Sequence, residues 1–164
     1  MSLVKLPFLV PQIRLSDILY YMKHPVSPDE LKHALEDKWQ ESNIHITRTA
    51  RQAVWMVLSS LNLKPESEVI VSSFMCPVIP IAVIKAGLRP VFCDVIADGF
   101  VMSPEDAARK ITSKTSAIIM PYSFGCYSDI ESFKRLADKH DLILIEDCAQ
   151  TFEGRYRNKR LGFN

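Results

Sequence analysis

Apolar positions recur in two rhythms along this chain, and from about residue 47 onward the rhythms alternate. Ala50, Ala53, Val54, Val57, Leu58 and Leu61 fall at spacings of three and four, which predicts a helix over Thr47 to Leu63. Glu68 to Ser72 reads as a short strand, and Val78 to Ala86 as an apolar helix ended by Gly87. Pro90 to Val95 is a second strand. Ser103 followed by Pro104 is an N-cap with proline at the first helical position, opening a helix to about Ile111. Ser116 to Pro121 is a third strand. Ser128-Asp129-Ile130-Glu131 reads as a capping box for a helix running to His140. Leu142 to Glu146 is the fourth strand, and Arg155 to Leu161 a hairpin or another short strand. Strands that alternate with helices predict βαβ units, hence an α/β fold with a mostly parallel sheet covered on both faces.

The first 45 residues break this beat. Pro7, Pro11, Pro25 and Pro28 divide them into short pieces, and Ser27-Pro28-Asp29-Glu30 caps a helix of about 28 to 41. Leu31, Ala34, Leu35 and Trp39 share one face of it. Two parts are therefore expected: an N-terminal arm and helix over 1–45, docking on the body or on a partner, and the α/β body over 46–164.

Within that body one stretch stands out. Leu142 to Ile145 carry no charge and end abruptly in Glu146-Asp147, followed by Cys148-Ala149-Gln150. A buried parallel strand reads as such an apolar run, and ligands of open α/β sheets sit beyond the strands' carboxyl ends. Asp147 and Gln150 are thereby candidate site residues. By itself a strand ending in Glu-Asp also serves as a loop or cap.

Composition narrows the class. The net charge of +1 gives no field to gather nucleic acid or an anionic membrane, and the longest apolar runs are too short to span a bilayer. The N-terminus lacks the pattern of a signal peptide, so the default expectation is a cytoplasmic protein. The four cysteines (Cys76, Cys93, Cys126, Cys148) contain no Cys-x-x-Cys pair and the four histidines show no ligand spacing with them. They read as small half-buried thiols rather than as a zinc site or a disulfide framework.

Five segments in order carry more than any one of them. They are Thr49-Ala50-Arg51-Gln52-Ala53, Glu68 to Pro77, Ala86 to Asp94, Tyr122-Ser123-Phe124-Gly125, and Ile145-Glu146-Asp147-Cys148-Ala149-Gln150 followed by Gly162. From about Thr47 to Asn164 the chain resembles the DegT/DnrJ/StrS family of pyridoxal-phosphate aminotransferases, best known for aminating keto sugars. The resemblance implies a three-layer α-β-α fold of the type I aminotransferase large domain, with pyridoxal phosphate as cofactor.

Each matched segment then has an expected task. Asp147 matches the carboxylate that keeps the cofactor's pyridine nitrogen protonated, without which the ring is a poor electron sink. Gln150 matches a position near the ring and its oxygen. The helix opening at Thr49 to Gln52 matches the phosphate cup; Ala50-Arg51 stands where the family usually has Gly-Thr or Ser-Gly, and Arg51 is itself a phosphate-contact candidate. Cys76 occupies the position that covers the ring, aromatic in many relatives, while Phe74 is expected in the core. Asp94 is expected to serve the turn after its strand, and Tyr122 and Ser123 to line the pocket.

The family's reaction also needs a Schiff-base lysine, which lies well beyond the Asp motif. No lysine here shares its context, Lys159 being nearest in sequence, so no catalytic residue is assigned. The resemblance thus implies the N-terminal part of an incomplete large domain, with an open strand edge that favours self-association or a partner. It further implies a nucleotide-linked keto sugar as small-molecule substrate, an amino donor such as glutamate, and a homodimer. Two other readings stay open: a non-catalytic scaffold or partner-binding descendant of the family, and an unrelated doubly wound binding domain.

Overall fold

The computed structural model describes residues 14–151 and 154–162. Expectations placed on Pro7 and Pro11 lie outside them. The chain divides into two compact units, residues 1–46 and 47–164.

In the first unit, helix α1 spans Leu15–Lys23 and α2 spans Pro28–Trp39. The start of α2 is the expected capping box: the Glu30 N–H donates to Ser27 Oγ at 3.1 Å, and the Ser27 N–H donates to the Glu30 carboxylate at 2.7 Å. These bonds hold the Glu30 carboxyl below the usual range.

The second unit begins with α3 (Ala50–Ser60), followed by β1 (Glu68–Ser72), α4 (Val78–Lys85), β2 (Arg89–Cys93) and α5 (Pro104–Lys110). It continues with β3 (Thr115–Pro121), α6 (Ile130–His140), β4 (Ile143–Asp147) and a small antiparallel hairpin of β5 (Arg155–Tyr156) and β6 (Lys159–Arg160). The four long strands form a parallel sheet in the order β2-β1-β3-β4. Val69, Val71, Ala117 and Ile119 face a core with Val54 and Leu58 of α3 and Ile79, Ala82 and Val83 of α4. Ile70, Ile118 and Met120 face the opposite core, with Ala107 of α5 and Ile130 and Phe133 of α6. Successive side chains of one strand enter different cores, so β1 and β3 have to be apolar on both faces. The fold is the α-β-α sandwich the alternation predicts.

Three local readings need correction. Helix α3 starts at Ala50, three residues late, because the Thr49 hydroxyl accepts from the Gln52 N–H and fixes the cap there. Helix α6 is capped by Asp129, not Ser128: Asp129 accepts from both the N–H and the hydroxyl of Ser132, and its carboxyl is held low as a result. The fourth strand runs through Asp147, which pairs with Pro121 of β3.

Polar groups that the sheet buries are paired at its amino-terminal end. The Glu68 carboxylate accepts from the hydroxyls of Thr112 and Thr115. On the far side of β2, Asp106 accepts from the Asp94 N–H at 2.8 Å and from Arg109 at 2.8 Å. The first of these bonds is the main reason its carboxyl lies below the usual range. Asp94 serves the turn, as expected, its carbonyl taking the Ser103 N–H.

Candidate functional site

Topology creates one crevice at the carboxyl end of the sheet. The chain leaves β1 toward α4 on one face and leaves β3 toward α6 on the other, although the two strands are neighbours. Their outgoing loops therefore diverge, and such a switch point is where open α/β sheets bind ligands. A cleft of about 230 Å³ lies there, bounded by Met75, Cys76, Val78 and Ile79 after β1, by Pro121, Tyr122 and Ser123 at the end of β3, and by Asp147, Ala149 and Gln150 at the end of β4. Ala50, the first residue of α3, closes it.

Four of the five residues singled out in the sequence thus meet around one opening: Asp147, Gln150, Cys76 and Ala50. The fifth, Arg51, is exposed and is not part of the lining. Next to Ala50 on a helix, its side chain points elsewhere because consecutive positions are about 100° apart. Tyr122 and Ser123 line the cleft as expected. Phe74 does not enter the core. It is 42% exposed and stacks on Phe100 with ring centroids 5.2 Å apart, and Phe124 completes an exposed aromatic trio. A position that follows a buried strand looked like core; the loop after β1 turns it outward.

The chemistry of the lining is unevenly distributed. Asp147 is half-buried, and among the described residues its carboxylate accepts from the Ala149 N–H alone, at 3.1 Å on Oδ1. A carboxylate has about four acceptor positions, so most of this one's capacity faces the cleft. Thr49 caps Gln52, and the N–H groups of Ala50 and Arg51 lack intrahelical acceptors by their position in the first turn. With the helix dipole they offer a site for an anion. The Gln150 side-chain oxygen is already taken by the Phe124 N–H at 3.0 Å, which leaves its amide group as a donor. Phe124 itself lies in the left-handed region, at φ +55°.

The thiols separate into two kinds. Cys76 and Cys126 are exposed, contrary to the expectation of half-buried cysteines, whereas Cys93 is buried and Cys148 half-buried. Burial pushes the Cys148 thiol up to about 12, with the charges of Glu146 and Asp147 adding to the effect. Burial likewise raises Cys93 to about 12, helped by Asp106. Neither is a nucleophile at neutral pH.

Sequence reasoning missed one member of this end of the molecule. Glu146 accepts from the Tyr122 hydroxyl at 2.6 Å and from the Gly162 N–H at 3.0 Å. Its place on the face away from the cleft hid it behind Asp147; strand alternation was the signal that distinguished the two.

Comparisons with known proteins agree with this fold. The chain is 34% identical over 110 residues to a GDP-perosamine synthase of Vibrio cholerae, covering 67% of this chain and 30% of that protein. Its structure is similar to that of DesV of Streptomyces venezuelae, with a TM-score of 0.67 and 32% identity over 70% of this chain and 31% of the other. It is also similar to NtdA of Bacillus subtilis, solved with bound cofactor PMP, with a TM-score of 0.71 and 25% identity over 83% of this chain and 32% of the other. The chain spans about a third of the length of these relatives. Residues 28–163 match the DegT/DnrJ/EryC1/StrS aminotransferase family, and the chain belongs to it.

Proposed function

We propose that the cleft at the sheet's carboxyl end binds pyridoxal phosphate and that the chain supplies the ring-protonating and phosphate-binding part of a keto-sugar aminotransferase site. The observation that carries this reading is the convergence of Asp147, Gln150, Cys76 and Ala50 on one cleft at the switch point. The donor set suits the cofactor. An acceptor-only carboxylate with spare capacity fits a protonated ring nitrogen, free helix N–H groups fit a phosphate, and the apolar Met75, Val78 and Ile79 fit a flat ring.

When bound, pyridoxal phosphate supplies an electron sink. Asp147 holds the proton on the ring nitrogen, because a carboxylate beside it favours the charged form. The N–H groups of Ala50 and Arg51 bind the phosphate oxygens, and Arg51 adds long-range attraction without lining the cleft. Cys76, which lines the cleft, would help to hold the ring. Gln150, its oxygen held by the Phe124 N–H, would offer its amide N–H to the cofactor. Among the described residues no lysine lines the cleft, and the proposal gives the proton-shuttling lysine to none of them.

The substrate is a nucleotide-linked keto sugar and the amino donor one such as glutamate, by analogy with relatives such as the GDP-perosamine synthase. A homodimer in the cytoplasm is proposed with it. No helix of the described residues is long and apolar enough to cross a membrane. Absorbance titration of the chain with pyridoxal phosphate tests the core of the reading. Saturable binding that Asp147→Ala removes is the expected result, and equal titration of both proteins would reject it.

A further inference from the structure

Glu146 and Asp147 are adjacent on β4 and face opposite sides of the sheet. Ile143 and Ile145 pack in the core beneath α3 and α4, Leu144 and Cys148 in the core beneath α5 and α6. By alternation Asp147 belongs with the first set and Glu146 with the second. One carboxylate enters the cleft. The other holds the back of it.

What Glu146 holds is specific. Its Oε2 takes both the Tyr122 hydroxyl at 2.6 Å and the Gly162 N–H at 3.0 Å. Tyr122 is 1% exposed, so its hydroxyl has no water to fall back on. The same residue is tied twice to the β4 end: its N–H donates to the Asp147 carbonyl at 3.0 Å, and its carbonyl accepts from the Thr151 hydroxyl at 2.9 Å. Gly162 sits at φ +81°, and a Cβ there would come within 3.3 Å of Cys148 Sγ, so glycine lets that strand of the hairpin lie close against the turn. The end of β3, the end of β4 and the segment after β6 therefore meet at a single carboxylate oxygen.

We infer that Glu146 is a positioning residue: by gripping Tyr122 and the Gly162 amide it fixes the strand-end turn from which Asp147 enters the cleft. The consequence for cofactor rests on the reading of Asp147 given above; the grip itself belongs to the cofactor-free chain. Hydrogen bonds to an ionised acceptor are roughly twice as strong as neutral ones, so exchanging this carboxylate for a neutral amide weakens the grip on a buried phenol. The turn then has weaker ties than it needs to keep one orientation.

Amide hydrogen exchange on the cofactor-free chain reads this directly. The reporters are the amides of Tyr122 and Ala149, whose acceptors are the carbonyl and the carboxylate of Asp147. In Glu146→Gln both should exchange about tenfold faster or more, while the amides of Val69 to Val71 in β1 keep their protection. Tyr122→Phe removes one donor with little change of volume and should give the same pattern, more weakly. If only the Gly162 amide loses protection, Glu146 anchors the hairpin and nothing more, and the inference is wrong. If all amides speed up alike, the effect is global and the inference is equally wrong.

A pyridoxal phosphate titration of the same variants separates this idea from the one beneath it. Glu146→Gln should bind about tenfold more weakly and carry a smaller nitrogen-protonation signature in the 15N spectrum of labelled cofactor. Loss of binding in Asp147→Ala with unchanged affinity and nitrogen signal in Glu146→Gln overturns the positioning role and leaves the cofactor reading intact. Faster Tyr122 and Ala149 exchange without any cofactor effect in Asp147→Ala does the reverse.

Discussion

Two carboxylates at opposite ends of the central sheet, Glu68 and Asp147, are partnered differently. At the amino end, Glu68 lies on a fully buried strand and its Oε2 accepts from the hydroxyls of both Thr112 and Thr115. At the carboxyl end, Asp147 lies on the half-buried strand β4 and takes one N–H from its own turn. Both ends obey the rule that a buried charge needs partners. The difference is where the partners come from. Glu68 finds two inside the chain, while Asp147 has one in its own turn and, in the function proposed above, keeps room for the cofactor's ring nitrogen.

The largest effect breaks both ends together. Ile119 is fully buried at the centre of β3, in the core beneath α3 and α4. Ile119→Ala should cost about 2–5 kcal/mol in a urea melt and lower cofactor affinity only through unfolding. A variant that melts normally would mean that the strand is less tightly packed than its burial indicates.

Replacement of the two carboxylates separates the ends. Asp147→Ala should weaken pyridoxal phosphate binding at least about a hundredfold, from the lost counter-charge, and leave the melting temperature nearly unchanged. Glu68→Gln should do the opposite. It weakens two hydroxyl bonds to a charged acceptor, worth about 1–3 kcal/mol, and lowers the melting temperature by several degrees with unaltered titration. A Glu68→Gln protein that loses cofactor would dissolve the contrast.

A smaller effect is pH-dependent. Asp106 has its carboxyl lowered chiefly by the Asp94 N–H. A group whose folded value is depressed stabilises the fold above its unfolded pKa, and that contribution disappears as pH falls through the folded one. Asp106→Asn should therefore destabilise at neutral pH, and the gap to the parent protein should close below about pH 4. A gap that stays constant as pH falls through the acid range would assign the effect to packing.

The smallest perturbation uses the thiols. At pH 8 iodoacetamide should label Cys76, which is exposed on the cleft, far faster than Cys148, whose thiol burial pushes up to about 12. Pyridoxal phosphate should slow labelling of Cys76 and leave Cys126 unaffected. Equal protection of both would argue against Cys76 lying beside the bound ring.

Much of this was legible in the sequence because it rests on short-range physics. The apolar runs of β1 and β3, the Ser27 and Ser103 caps and the glycine after α4 fixed the elements to within a few residues. The choice between Ser128 and Asp129 as the cap of α6 was not legible, since both residue types cap equally well and the backbone decides. Asp147 and Gln150 line the cleft as read, because Asp147 ends an apolar strand, Gln150 sits in the turn after it, and the family resemblance pointed to both. Arg51 does not line the cleft, because adjacency to Ala50 in sequence is not adjacency on a helix surface. Glu146 escaped notice because its partners, Tyr122 and Gly162, are 24 and 16 residues away, and nothing local announces them. The outward turn of Phe74 was hidden for the same reason, its neighbours Phe100 and Phe124 coming from two other loops.

The measurement that bears most directly on the account is a side-by-side pyridoxal phosphate titration of the parent chain, Asp147→Ala and Glu68→Gln, followed by absorbance. Saturable binding by the parent and by Glu68→Gln, with none by Asp147→Ala, is the predicted result. Indistinguishable curves for the parent and Asp147→Ala would contradict it, and would remove the carboxyl end of the sheet as the site of the cofactor's ring.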